Sequence, residues 1–148
     1  LQNCLFNEVD NIVVLGVGVA ATTHSARFHS FDKSHTGVSR PCSAGHRMAW
    51  LVNIKSDMIC VRKMVHGRKL VIKIDTEGAE LHVLKGIGDI IEENLVKTII
   101  VEIDSENLSY FGTSSSDIYE FLGDRGFQPI LSKRGGQGHY DEIFVASS

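Results

Sequence analysis

Four carboxylates come in two pairs, and each pair stands where an apolar run stops. Asp75 and Glu77 follow Val71 to Ile74, and Glu102 and Asp104 close the run Thr98 to Ile103. Neighbouring carboxylates can take up a proton, hold a hydroxyl or orient a cationic group. Gly78 breaks the extended geometry after Glu77, and AELHVLKGI resumes at helical spacing. The run VIKIDTEGAELHVLKGI, Val71 to Ile87, therefore reads as a buried strand that turns straight into a helix. In open α/β sheets, ligands bind in the crevice outside the carboxyl ends of the strands. Two adjacent strands of this kind would aim all four carboxylates at one edge.

Each candidate has a plainer reading beside the chemical one. Asp75 could be a turn former bonded to its own backbone. Glu77 could compensate the dipole at a helix N-terminus. Glu102 is followed by apolar Ile103, which places it at the strand end, and Asp104 reads as a turn residue before Ser105. His35, in DKSHTGVSR, is the base candidate outside the carboxylates, with a solvated loop histidine as the alternative. His24, His29, His46 and His66 lack metal-ligand spacing, and His82 falls on the helix surface, so no metal-ligand set is assigned. Lys33 and Arg40 could grip an anionic group or simply be solvated. Trp50 and the phenylalanines read as core.

Composition bounds the answer. A chain of 148 residues is one domain, long enough to bury a core. Hydrophobic content of 43% and charged content of 22% are ordinary for a globule. A net charge of −3 gives no basic footprint, so nucleic acid is not an expected partner. No apolar stretch reaches the ~18 residues a membrane span needs, and the N-terminus has no signal-peptide pattern. Cys4, Cys42 and Cys60 form no CxxC and are odd in number, which fits reduced thiols in a cytoplasmic protein.

Strand and helix patterns alternate along the chain. Leu1 to Asn7 reads as the tail of a helix, Ile12 to Val19 as a buried strand and Ala26 to Phe31 as a period-2 strand. Asp32 to Arg47, rich in Ser, Gly and His, reads as a long loop. Ala49 to Ile54 is a short strand. Ser56 can cap a helix over Asp57 to Val65. Ala79 to Ile87 is a helix with Leu81, Leu84 and Ile87 inward, and Thr98 to Ile103 is an uninterrupted β-branched strand. Ser114 or Ser115 caps a helix carrying Ile118, Phe121 and Leu122. Phe127 to Ser132 and Glu142 to Val145 face each other across KRGGQG as a hairpin. The expected sheet has the Asp75 strand at its centre, parallel to Thr98–Ile103, with the last strand antiparallel.

IKIDTEGAEL followed by LKG resembles the central motif of FkbM-type S-adenosylmethionine-dependent methyltransferases. VKTIIVEID and IYEFLGDRGFQPI resemble the strand, helix and strand that follow it. The resemblance runs from about Asn11 to Ala146 and is strongest after Lys69. It implies a Rossmann-like methyltransferase fold, a mostly parallel sheet with a C-terminal antiparallel hairpin. It implies S-adenosylmethionine as cofactor and transfer of its methyl group to a hydroxyl of a small molecule or glycan. Asp75, Glu77 and His35 are then the catalytic candidates, Asp75 and Gly78 the cofactor contacts, and Glu102 the substrate contact. A homo-oligomer is compatible with this reading, and a membrane partner is not expected.

VVLGVGVA, Val13 to Ala20, has the look of the glycine loop that holds such a cofactor. That loop should leave a strand and enter a helix, whereas ATTHSARFHSF follows here, β-branched and aromatic. The span from Gly18 to Asp75 also holds too few elements for two further βα units. Ile12 to Val19 then fits the family's third strand. The expectation is an N-terminally truncated domain without its glycine-loop unit, which binds the cofactor weakly or not at all by itself. Two alternatives stand: a non-catalytic methyltransferase remnant serving as a binding or oligomerisation module, and an unrelated nucleotide-binding enzyme with a helix after Ala20.

Overall fold

The computed structural model describes residues 11–12, 18–30, 39–41, 47–52, 67–130 and 138–147. His35, Lys33, the three cysteines, the expected helices of Leu1–Asn7 and Asp57–Val65 and all of KRGGQG but Gly138 lie outside the described residues.

The described elements form two four-stranded sheets. The first contains β1 (Gly18–Val19), β2 (His24–Ser30), β3 (Ser39–Pro41) and β4 (Arg47–Val52) in the order β1-β4-β2-β3. In it β1 runs parallel to β4, while β2 is antiparallel to both β3 and β4. Strand β3 falls within the stretch Asp32 to Arg47, expected as loop throughout; Pro41 ends it, and as the last residue of a three-residue edge strand proline is tolerated. The second sheet contains β5 (Leu70–Ile74), β6 (Val96–Asp104), β7 (Phe127–Pro129) and β8 (His139–Ala146) in the order β5-β6-β8-β7. Helices α1 (Glu80–Gly86), α2 (Gly88–Glu92), α3 (Ser105–Tyr110) and α4 (Ser115–Gly123) alternate with its strands. The result is a mixed α/β fold.

Two expectations about this sheet hold and two are corrected. β5 and β6 are parallel, and β8 is antiparallel to β6 and to β7. However, among the described residues β5 lies at the sheet edge, and β6 and β8 occupy the centre. The reason is visible in the side chains. β5 alternates partly buried with exposed positions, leaving Val71 64% exposed and Lys73 half exposed, and only Ile74 is buried. β6 instead buries Val96, Ile99, Val101 and Ile103 almost completely. Lysine in the middle of VIKID is an edge-strand signal, and the apolar length of the run masked it. The sheet is also less parallel than expected, with one parallel pairing of three.

The core lies on the face of β6 that carries Ile99, Val101 and Ile103. Leu81 and Leu84 of α1, Ile90 and Ile91 of α2, Ile118 and Leu122 of α4 and Phe144 of β8 belong to the same cluster. Each side chain of this size contributes about 1.5–3 kcal/mol when fully buried. Leu81, Leu84 and Ile87 are inward as their spacing demands. The start of α4 is a capping box, in which Ser114 Oγ accepts from Asp117 N–H at 3.3 Å and Asp117 Oδ2 accepts from Ser114 N–H at 2.7 Å. Ser114 is thus the cap and not Ser115, and its hydrogen bonds hold the Asp117 carboxyl below its ordinary pKa. Among the described residues no helix is long and apolar enough to cross a membrane.

Two glycines bring separate elements into contact. A Cβ on Gly86 would stand 2.4 Å from the Ala20 carbonyl oxygen, so α1 touches the end of β1 only because that side chain is missing. A Cβ on Gly78 would stand 2.4 Å from the Asn107 carbonyl oxygen and 2.8 Å from Phe111 Cδ2, and Gly78 also has φ +107°. Gly78→Ala therefore combines a left-handed backbone with a clash against main chain. It is expected to destabilise the protein by about 3 kcal/mol, lowering the melting temperature by roughly 10 °C. Gly123→Ala, with open space around it and no positive φ, is the control. Thermal unfolding of both variants checks this; equal melting temperatures would contradict the packing described.

Candidate functional site

The site begins where β5 ends. Asp75 leaves the sheet, and the chain turns through Thr76, Glu77 and Gly78 into α1. One buried side chain organises that turn. Glu80, 1% exposed, accepts three hydrogen bonds on Oε1, from Thr76 N–H at 3.0 Å, Thr76 Oγ1–H at 3.0 Å and Gly78 N–H at 3.1 Å. It also places a negative charge in the first turn of α1, where the helix dipole favours one. The helix N-cap, Ala79, has no side chain for this work. With the turn pinned, Glu77 takes φ +55°, a left-handed conformation uncommon for glutamate.

A second group of bonds fixes Glu77 from the neighbouring strand end. Asp104 caps α3, its Oδ1 accepting from Glu106 N–H at 2.9 Å and Asn107 N–H at 3.0 Å. Asp104, expected as a turn residue before Ser105, is the N-cap of this helix. The capped helix presents Asn107, whose Nδ2–H donates to Glu77 Oε2 at 2.9 Å. The turn after β5 and the helix after β6 are thereby joined at one edge.

Three of the residues singled out from sequence meet there. Asp75, Glu77 and Glu102 each offer a carboxylate oxygen, all within 4.8 Å of one another. Their environments differ. Asp75 is half exposed and pairs with Lys73 Nζ at 3.2 Å. Lys73 stands two residues earlier on β5 and so on the same side of the strand. Glu102 is 8% exposed. Its Oε1 meets His139 Nε2 at 2.5 Å, and its Oε2 is buried without a hydrogen-bond partner. Burial raises the Glu102 pKa, the negative charge of Asp75 raises it further, and His139 opposes the rise. The hydrogen bond to Asp75 raises the Lys73 pKa in turn.

Two partners of this edge escaped the sequence reading. His139 comes from β8, whose antiparallel register sets it opposite Asp104 and brings its ring to Glu102. Its Nδ1 lies 3.8 Å from Asp104 Oδ2. Only the strand register reveals this pairing. Asn107 could have been noticed as the third residue after a helix-capping aspartate, but nothing in the sequence points it at Glu77. His35 lies outside the described residues, and so do the side chain of Arg40 and the whole of Lys33.

A cavity of about 450 Å³ opens beside the carboxylates. Asp75, Thr76 and Glu77 form one wall, and Val19, Ala20, Val83 and Phe111 supply apolar surface. His24 and His82, set aside in the sequence reading, also line it. Its position outside the C-terminal end of β5 is where α/β sheets hold ligands. A larger cleft of about 620 Å³ lies at the opposite end of β6, beside Val96 and Arg125, away from all the residues selected from sequence. Gly18 reaches the first cavity, but β1 is followed by strand β2 and not by a helix. The unrelated nucleotide-binding reading lacks the helix it requires.

A mixed α/β fold with an acidic strand–turn–helix beside a cavity is consistent with a methyltransferase-like domain. Residues 54–129, more than half of the chain, match the family model for the methyltransferase FkbM domain, and the chain belongs to that family. The matched region contains β5, β6, α1 to α4 and β7, and with them Asp75, Glu77, Gly78 and Glu102. No curated protein and no solved structure gives a significant match.

The state of Glu102 has a measurable consequence. A carboxyl whose pKa is raised by folding binds its proton more tightly in the folded protein than in the unfolded chain. Its contribution to stability is then present below the ordinary value of 4.5 and is lost as pH rises through the raised value. Glu102→Gln removes that loss. Urea unfolding of the variant and the parent between about pH 4 and about pH 7 is expected to show the variant gaining relative stability as pH rises. A variant that loses ground over the same range would contradict the account.

Proposed function

We propose that the protein transfers the methyl group of S-adenosylmethionine to a hydroxyl of a small molecule or glycan. The observation that supports this most directly is the convergence of Asp75, Glu77 and Glu102 at one sheet edge, where Asp75 and Glu77 line an apolar-walled cavity, within an FkbM domain. In the reaction the acceptor oxygen attacks the methyl carbon, the carbon–sulfur bond breaks and S-adenosylhomocysteine leaves. The hydroxyl proton must go to a base. Asp75 and Glu77 fill that role, with His35 as a further base from the loop expected around it. A cationic sulfonium is also drawn to an edge of this charge. Gly78 admits the donor against the backbone, and Glu102 holds the acceptor hydroxyl. Alignment of donor and acceptor supplies much of the acceleration.

The second reading is a non-catalytic module descended from a methyltransferase, in which the same domain binds a partner or a second copy. What favours it is the passage of β1 into β2 where a cofactor loop would enter a helix. Both readings expect binding of S-adenosylmethionine by this 148-residue chain to be weaker than 1 μM, about −8 kcal/mol. They part on turnover.

The test is methyl transfer from labelled S-adenosylmethionine at millimolar concentration to a panel of hydroxylated acceptors. The methyltransferase reading expects turnover, and it expects Asp75→Asn to reduce turnover ~10²-fold or more while leaving the melting temperature nearly unchanged. Asparagine keeps the shape of aspartate and removes its charge, and the exposed pair with Lys73 that is lost contributes little to stability. Near-normal turnover in Asp75→Asn would take Asp75 out of the chemistry. No transfer to any acceptor would favour the binding module.

A further inference from the structure

We infer that Asp75, Glu77 and Glu102 form a binding site for a hard divalent cation of the Mg²⁺ or Mn²⁺ type. The histidines lack metal-ligand spacing in the sequence, which assigns no metal-ligand set. The fold instead assembles an all-oxygen set from the end of β5, the turn after it and the end of β6. One carboxylate oxygen from each residue lies within 4.8 Å of the other two. Around a cation with oxygen ligands at about 2.0–2.6 Å, neighbouring ligands lie within such a span.

The crowding of acids alone would not make a site, since acidic groups gather at many surfaces. Glu102 supplies the independent observation. It is nine-tenths buried, its Oε1 is held by His139, and its Oε2 has neither solvent nor a hydrogen-bond partner. A buried carboxylate oxygen left without a donor is costly, and native structures satisfy such atoms with a proton, a water or an ion. Here the same group stands close to two further carboxylates. A cation between the three carboxylates would relieve their mutual repulsion.

The surroundings match what metal sites require beyond their ligands. His139 holds Glu102 through Oε1, and Asn107 holds Glu77 through Oε2. Such outer contacts hold ligating carboxylates in place. The oxygen-only ligand set selects hard ions over zinc or copper. Lys73 is the present counter-charge of Asp75, but it is half exposed and holds one oxygen at 3.2 Å, so it competes weakly with an ion. The cavity borders Asp75 and Glu77, so a bound ion would retain open positions for a hydroxyl or water and lower its pKa.

The inference is independent of methyl transfer, because binding is read without donor or acceptor. Mn²⁺ is titrated into the 148-residue chain, and free Mn²⁺ is followed by electron paramagnetic resonance, with Mg²⁺ as competitor. One saturable site is expected, weakened at least tenfold in Asp75→Asn and in Glu102→Gln and unchanged in Glu120→Gln, an exposed acid of α4. Lys73→Met is expected to tighten binding several-fold, which an ion held elsewhere would not register. Asp75 is 47% exposed, so Asp75→Asn decides the matter if the buried Glu102→Gln fails to fold. The absence of saturable Mn²⁺ binding would overturn the site, as would affinity within twofold of the parent in Asp75→Asn.

Discussion

The carboxylate of Glu80 is the constraint on which the working edge of this domain depends. Its Oε1 gathers the backbone of Thr76, the hydroxyl of Thr76 and the backbone of Gly78 into one clasp beneath the turn. Without it, three polar groups would lose their acceptor, and the buried Gly78 N–H, left unsatisfied, would cost about 1–3 kcal/mol. The clasp does more than stabilise. It fixes the point at which β5 stops and α1 starts, and so decides where Asp75 and Glu77 stand. The left-handed backbone of Glu77 and the close approach of Gly78 to Asn107 are local strains that the clasp over-determines.

Electrostatics at this edge are balanced from outside it. Asp75, Glu77 and Glu102 repel one another, and the compensating groups are all peripheral. Lys73 meets Asp75, Asn107 meets Glu77 and His139 meets Glu102. Each carboxylate is thus held by one oxygen from behind. The centre of the cluster carries no positive side chain among the described residues. A cationic ligand is favoured at such a point, whether a sulfonium, a metal ion or a protonated acceptor passing its proton on. Burial first, and the neighbouring charge of Asp75 second, make Glu102, the most buried of the three, hold its proton more tightly than an ordinary glutamate.

Much of the second sheet was legible in the residues. The β-branched run Thr98 to Ile103 is uninterrupted, and it forms most of β6, with Ile99, Val101 and Ile103 fully buried. The spacing of Leu81, Leu84 and Ile87 set the inward face of α1 and its continuation. The antiparallel ending followed from the turn residues before His139. The edge position of β5 was misread because apolar length outweighed one lysine, although Lys73 marks the side that faces water. β3 was missed for a different reason. Ser39 to Pro41 has no strand periodicity, and only its pairing with Phe28 to Ser30 makes it a strand.

The site was legible as far as single strands allow. Asp75, Glu77 and Glu102 were recognisable because each ends or follows an apolar run. Their mutual contact depends on the parallel pairing of β5 with β6, and the part played by His139 depends on the register of β8. Glu80 was passed over because an acidic residue at the start of a helix has an ordinary explanation. Its burial to 1% and its three bonds belong to tertiary structure. The most direct test of the whole account is amide hydrogen exchange at Thr76 and Gly78. Both N–H groups are bonded to Glu80 Oε1, so both should exchange slowly in the parent and fast in Glu80→Ala, while Ile99 and Val101 on β6 stay protected. Rapid exchange at Thr76 and Gly78 in the parent protein would mean that the clasp does not exist and that the carboxylate edge is not held as described.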